Sequence, residues 1–245
     1  IFKKTYKSFS YLLDKRYGDE NNYELQVANF HIVASTFTTN GLLFNSVSED
    51  KIIFAPYGIE LDKYILSSKK QNINLKLLYV GALDQRKGIS QILNSAKRIN
   101  DSNIVFNIVG NGFKSNPELF EPYRPYVNFH GYAMSHRMPF YYNNNDVFIF
   151  PSMGDGFGNV ILEALASGLP VITTFNCAGT DLIIDGFNGF LIDAGDTNAL
   201  YDRIIWFNNN KHKLAQMSVN ARNTASKYSW EEYEHKLIQG LKKIF

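Results

Sequence analysis

The densest chemistry in the sequence lies at residues 151–174, PSMGDGFGNVILEALASGLPVITT. The pattern reads as the end of a strand, a glycine-rich loop, a helix and a second strand. Gly154, Gly156 and Gly158 let the backbone come close to a bulky ligand. The helix opening near Asn159 offers unpaired N–H groups and the positive end of its dipole, so an anion suits that place, most simply a phosphate. Asp155 in the loop and Glu163 about one turn into the helix are separated by seven residues and bracket it. Acids do not attract a phosphate by charge, so hydroxyls are their expected partners, ribose for one and a sugar for the other. That combination fits a sugar nucleotide better than ATP. Taken alone, the two acids also read as an exposed helix residue and a turn residue; the surrounding glycines favour the ligand.

A second constellation occupies residues 77–93, LLYVGALDQRKGISQIL, again strand, loop and helix. Arg86 and Lys87 stand just before the helix. Loops at the carboxyl ends of strands converge on the ligand crevice of an open parallel sheet, so both cations are expected to face the anion held at Asn159. A solvated basic turn is the plainer alternative.

These loops need a scaffold, and the apolar runs supply one. HIVAS (31–35), KIIFAP (51–56), LKLLYVG (75–81), NIVFNIVG (103–110), YVNFHG (126–131), DVFIFPS (146–152) and PVITT (170–174) each suit a strand buried on both faces, with GFLID (189–193) a further candidate. GISQILNSAKRI and NVILEALASG carry apolar residues at three-to-four spacing between them. Strand and helix alternate, which predicts an α/β fold with a mainly parallel sheet. Residues 56–74 are polar and read as a linker, leaving 1–55 with too little apolar surface to stand alone.

Composition removes several classes. A net charge of +2 lacks the positive field of a nucleic-acid binder. The single cysteine, Cys177, permits no intramolecular disulfide framework and no cysteine cluster for zinc, which favours a reducing, cytoplasmic setting. His130 and His136 lack an acidic or thiol partner at ligand spacing, so no metal is expected. No apolar run approaches a membrane span. The basic and aromatic start, KKTYKSFSYLL, reads either as a peripheral contact with an anionic membrane face or, preferably, as a packed helix of a further domain.

In order along the chain stand HIVASTFTTNGL, KIIFAPYGIELDKY, LLYVGALDQRKG, NIVFNIVGNG, VNFHGY, the 151–174 segment and DLIIDGFNGFLID. Together these resemble, over about residues 20 to 240, the retaining nucleotide-sugar-dependent glycosyltransferases of family 4, which have the GT-B fold. The resemblance implies that 75–228 is the domain binding a UDP- or GDP-linked sugar donor, 1–55 the end of an acceptor-side domain, 56–74 the interdomain linker and 229–245 a helix crossing back.

It also assigns residues. Glu163 matches the family's ribose-binding acid, and Asp155, one methylene shorter than the usual Glu, the acid beside the transferred sugar. The amides of Phe157, Gly158, Asn159 and Val160 match the diphosphate cradle. Lys87 matches the family lysine, while Ala82 stands where an arginine often does, a loss that Arg86 is placed to offset. Gly81, Gly110, Gly112 and Tyr132 fall in the loops near donor and base, Tyr132 either stacking on the base or closing the core. The implied reaction moves a sugar to an acceptor hydroxyl, carbohydrate or lipid-linked, in polysaccharide or glycoconjugate synthesis, without a cofactor or a metal. The chain starts at Ile1, which reads as a start within a longer protein, the acceptor side coming from further residues or a partner subunit. A binding module without turnover is the remaining reading.

Overall fold

The computed structural model describes residues 25, 27–65, 73–113 and 115–243. The opening segment KKTYKSFSYLL lies outside the described residues. The first unit holds strand β1 (His31–Val33), helix α1 (Thr36–Phe44) and strand β2 (Ile52–Phe54), the two strands paired in parallel. A larger unit follows in strict alternation: β3 (Leu75–Val80), α2 (Ile89–Ile99), β4 (Ile104–Val109), α3 (Pro117–Phe120), β5 (Asn128–Gly131), α4 (Met138–Asn143) and β6 (Val147–Phe150). After these come α5 (Asn159–Ala166), β7 (Val171–Thr174), α6 (Gly179–Leu182), β8 (Gly189–Ile192), α7 (Thr197–Asn209), α8 (Leu214–Ala225) and α9 (Trp230–Leu241).

Six strands form one parallel sheet in the order β5-β4-β3-β6-β7-β8. Its centre is continuous apolar sequence because helices cover both faces: Leu75, Leu77, Leu78, Val147, Phe148, Val171 and Ile172 are all fully buried. The helices show why they lie where they do. In α2 the apolar positions Ile89, Ile92, Leu93 and Ala96 fall on one face and are buried, and the helix stops at Asn100 in a left-handed conformation. In α5 the apolar residues run almost all round, because the helix is sandwiched between the sheet and α8.

The strand order reverses between β3 and β6, the two elements that precede the predicted ligand loops. They pair only at Leu77 with Val147 and Leu78 with Phe148. No ladder pairing joins them beyond those residues, and the switch point of a doubly wound sheet is where a crevice opens. The aromatic rings of Tyr79, Phe150 and Phe148 stack beneath it, centroids 6.3 and 6.2 Å apart, and the Tyr79 hydroxyl donates to the Ala82 carbonyl at 2.6 Å. The loop after β3 is thus pinned from below.

The segment 56–65 lies against the larger unit: the Ile59 amide donates to Tyr228 O at 2.9 Å, and the Arg222 guanidinium donates to the carbonyls of Tyr64, Ala166 and Leu61. Helix α9 then crosses over β2, where Gly240 sits so close to Ile53 that a Cβ would lie 2.4 Å from Ile53 Cγ2.

Candidate functional site

At the carboxyl ends of β3 and β6 a cleft of about 440 Å³ opens. Its floor is Val80, Gly81 and Phe150, one wall is Asp155 through Val160, and the opposite wall comes from the first unit at Ile32, Val33, Ala34 and Thr38. Lys87 and Tyr57 complete it. Helix α5 begins at Asn159 with Gly158 as its cap; the Ile161 amide donates to Gly158 O at 2.8 Å and the Phe157 amide to Asp155 Oδ1 at 3.3 Å, while Asn159 and Val160, with no preceding turn to bond, line this space.

The Lys87 loop is built to reach the same place. The Asp84 carboxylate accepts from the Lys87 amide at 2.9 Å and caps the tight turn Gln85–Lys87. Gly88 then takes φ +78°, with its backbone so close to the end of β6 that a Cβ would lie 2.1 Å from the Pro151 carbonyl oxygen. Only glycine allows that approach. As a result the Lys87 ammonium forms an ion pair with the Asp155 carboxylate and stands 5.7 Å from the centre of the Phe150 ring. The two side chains are 17% and 20% exposed, so the pair is sheltered yet opens on the cleft.

The structure brings Lys87, Asp155, Gly81, Phe157, Gly158, Asn159 and Val160 into one lining. Other predicted residues stand apart from it, Gly112 among them, packed against Leu83. Arg86 turns towards the Gly154 carbonyl, 3.4 Å from Nη1, while its own carbonyl accepts from the Met153 amide at 2.7 Å. Gly110 packs against the loop after β3, where a Cβ would strike Gly81 O, so its role is the close fit of neighbouring loops. Tyr132 is 68% exposed.

Glu163 lines a second, smaller cavity of about 150 Å³, shared with Gly58, Glu60, Tyr64 and Trp230; Asn159 lines both this cavity and the first. Its Oε2 accepts from the Tyr142 hydroxyl at 2.7 Å. Burial pushes the Glu163 carboxyl above the ordinary range, against the hydrogen bonds from Tyr142 and Tyr64, which favour the ionised form.

Several contacts escaped the sequence. The Ser35 hydroxyl caps α1 and also donates to the Gly156 carbonyl, tying the first unit to the glycine loop. Asp181 accepts from both the amide and the hydroxyl of Thr36, so it places a negative charge at the first turn of α1, which has no acid of its own. The motif Ser35-x-x-Thr38 is a readable helix-start signal; its partners, more than a hundred residues away, are not. Tyr57 was also missed: its ring meets Phe157 edge-on at 5.1 Å.

Among the described residues no group of three His, Cys, Asp or Glu side chains could hold a metal ion, and no helix is long and apolar enough to cross a membrane.

The parallel sheet with its ligand loops at the switch point, together with the crossing final helix, is an α/β fold of the GT-B type. Residues 62–224 match the family described as Glycosyl transferases group 1, and the chain belongs to that family. It is 30% identical over 214 residues to the capsular polysaccharide biosynthesis glycosyltransferase CapM of Staphylococcus aureus, covering 78% of this chain and 56% of CapM. It is 29% identical over 191 residues to the Escherichia coli UDP-Gal:alpha-D-GlcNAc-diphosphoundecaprenol alpha-1,3-galactosyltransferase, covering 71% of this chain and 49% of that enzyme. In structure it is similar to the sucrose-phosphate synthase of Thermosynechococcus elongatus, with a TM-score of 0.79 and 24% identity over 92% of this chain and 60% of that one. Anabaena HepE in complex with UDP-glucose gives 0.77 and 18%, over 90% and 68%. The chain therefore spans about half the length of the curated relatives it matches.

Proposed function

We propose that this chain is the donor-binding part of a retaining, metal-independent glycosyltransferase of family 4. It would carry a sugar from a UDP- or GDP-sugar to an acceptor hydroxyl on a carbohydrate or lipid-linked acceptor. The setting is polysaccharide or glycoconjugate synthesis, in the cytoplasm or at the inner face of the membrane. The observation that carries the reading is the convergence of Lys87, Asp155 and the open start of α5 in one cleft at the switch point.

In this reading the diphosphate lies on the amides of residues 157–160, and Lys87 turns from Asp155 to the phosphoryl oxygens as negative charge grows on the departing nucleoside diphosphate. Protein charge thereby takes the place of a divalent cation. Asp155, released from its partner, faces the transferred sugar, and Glu163 reads the ribose hydroxyls from beyond Asn159. The wall from the first unit belongs to the acceptor side, whose remaining surface comes from further chain or a partner subunit. Two relatives support this setting: CapM is named for capsular polysaccharide, and the E. coli enzyme for UDP-galactose and a diphosphoundecaprenol acceptor.

The test is a panel of UDP- and GDP-sugars followed by thermal unfolding and calorimetry. At a hundredfold excess over Kd one ligand adds about 2.7 kcal/mol of apparent stability, a plain upward shift in Tm. Absence of both a shift and a binding heat across the panel would remove the donor-site reading.

A further inference from the structure

Glu163 is the only charged residue of α5, NVILEALA, and it sits where burial opposes its ionisation. Among the described residues no cation forms an ion pair with it. Lys63, the one basic residue lining its cavity, is 64% exposed and pairs with Glu60 at 2.8 Å. The partners of Glu163 are instead two phenols: Tyr142 from α4, fully buried, and Tyr64 from the segment that follows β2. Their rings meet edge-on at 6.0 Å, and Tyr142 also packs on Phe148 of the central strand at 5.8 Å. The pair is therefore anchored in the core, with the Tyr142 hydroxyl on the carboxylate and Tyr64 lining the cavity beside it.

A carboxylate has about four acceptor sites, and the Tyr142 phenol fills one of them. The remainder is left for a ligand in the cavity, which shares Asn159 with the lining of the main cleft. A neutral donor pair suits this purpose better than an arginine would, because it orients the carboxylate without cancelling its charge.

We infer that Tyr142, seconded by Tyr64, is a positioning residue that aims the Glu163 carboxylate at the ribose of the donor nucleotide and so sets the preference for ribose over deoxyribose. The inference rests on the ribose reading of Glu163. The groups that face this carboxylate are Tyr142 of α4, Tyr64, Glu60 and Lys63 of the segment after β2, and Asn159 of its own helix, with Trp230 of α9 closing the cavity.

The experiment measures Kd for UDP and 2′-deoxy-UDP, and for the GDP pair, by calorimetry between pH 5 and 8 on the wild type, Tyr142→Phe, Tyr64→Phe and Glu163→Gln. Tyr142→Phe keeps the buried ring and removes one oxygen. It should weaken the ribonucleotide about tenfold near neutral pH, the scale of one charge-assisted hydrogen bond. The deoxy compound should change little, and Tyr64→Phe should do the same to a lesser degree. Losing a donor to the carboxylate raises its pKa, so the acid fall in ribonucleotide affinity should move to higher pH in Tyr142→Phe. If Glu163→Gln abolishes the ribose preference while Tyr142→Phe binds as the wild type does, the positioning role is wrong and the ribose reading survives. If Glu163→Gln itself leaves the preference intact, both fall.

Discussion

Replacing Lys87 by alanine tests the centre of the site. In the free protein the ammonium is mostly sheltered, held against Asp155 and near the face of Phe150. When the diphosphate arrives, a unit charge about 4 Å away at an effective dielectric near 20 is worth about 4 kcal/mol. Loss of one preorganised donor costs about 100- to 1000-fold in rate, close to the same energy. The variant carries a second penalty, since Asp155 is left uncompensated beside an anion. We therefore expect sugar transfer to fall by about 100- to 1000-fold and nucleoside diphosphate affinity to fall with it. Initial rates with the whole protein and titration calorimetry with UDP and GDP give the two readings. A double variant separates the two penalties in affinity: in Lys87→Ala/Asp155→Asn the repulsion is gone but the missing phosphate contact is not. Full recovery of nucleoside diphosphate affinity in the double variant would show that Lys87 serves binding only by neutralising Asp155. Rates and affinities within about threefold of the wild type in Lys87→Ala would refute the mechanism.

Gly88→Ala should lower Tm and abolish nucleotide binding together, because a Cβ 2.1 Å from the Pro151 carbonyl and φ of +78° lift the Lys87 loop off β6; backbone strain alone costs about 1–2 kcal/mol. Unchanged binding would show that the loop relaxes freely. Arg222→Met leaves three carbonyls without their donor, two on the segment after β2 and one on α5, and should cost about 2–4 kcal/mol in chemical denaturation. A loss below about 0.5 kcal/mol would mean that water replaces the guanidinium. Glu163 gives a pH test. Its carboxyl is raised in the folded state, so folding takes up a proton and this group's contribution to stability falls as pH rises from the unfolded value of 4.5 through the folded one. Glu163→Gln should therefore gain on the wild type over that window in paired Tm measurements, and a constant gap would refute it.

Much of the fold was legible. The runs at 75–80, 104–109 and 147–150 are apolar but for Lys76 and Asn107, because both faces of their strands are largely covered, and such stretches announce themselves without partners. Gly154 to Asn159 was legible for the same local reason: loop, cap and helix start are neighbours in sequence. Contacts between distant segments were not. Nothing local in Asp155 states that its partner is Lys87, sixty-eight residues earlier, or that Asp181 serves Thr36. Tyr142 is buried in the core, and its hydroxyl, which no sequence signal marks, carries the contact to Glu163. Arg86 and Lys87 are adjacent and equally basic; the turn capped by Asp84 sends one into the cleft and the other towards Gly154.

The fit of Gly240 over Ile53 joins the last described helix to the first unit. Trimming the carboxyl end would strip the cover from β2, so damage inflicted there would be felt in the first unit. A cut in the short stretch between α8 and α9 would likewise free the wall of the cleft that begins at Ile32, although no residue touching a ligand had been altered. The last helix acts as a clasp, and its fastening is a missing methyl group.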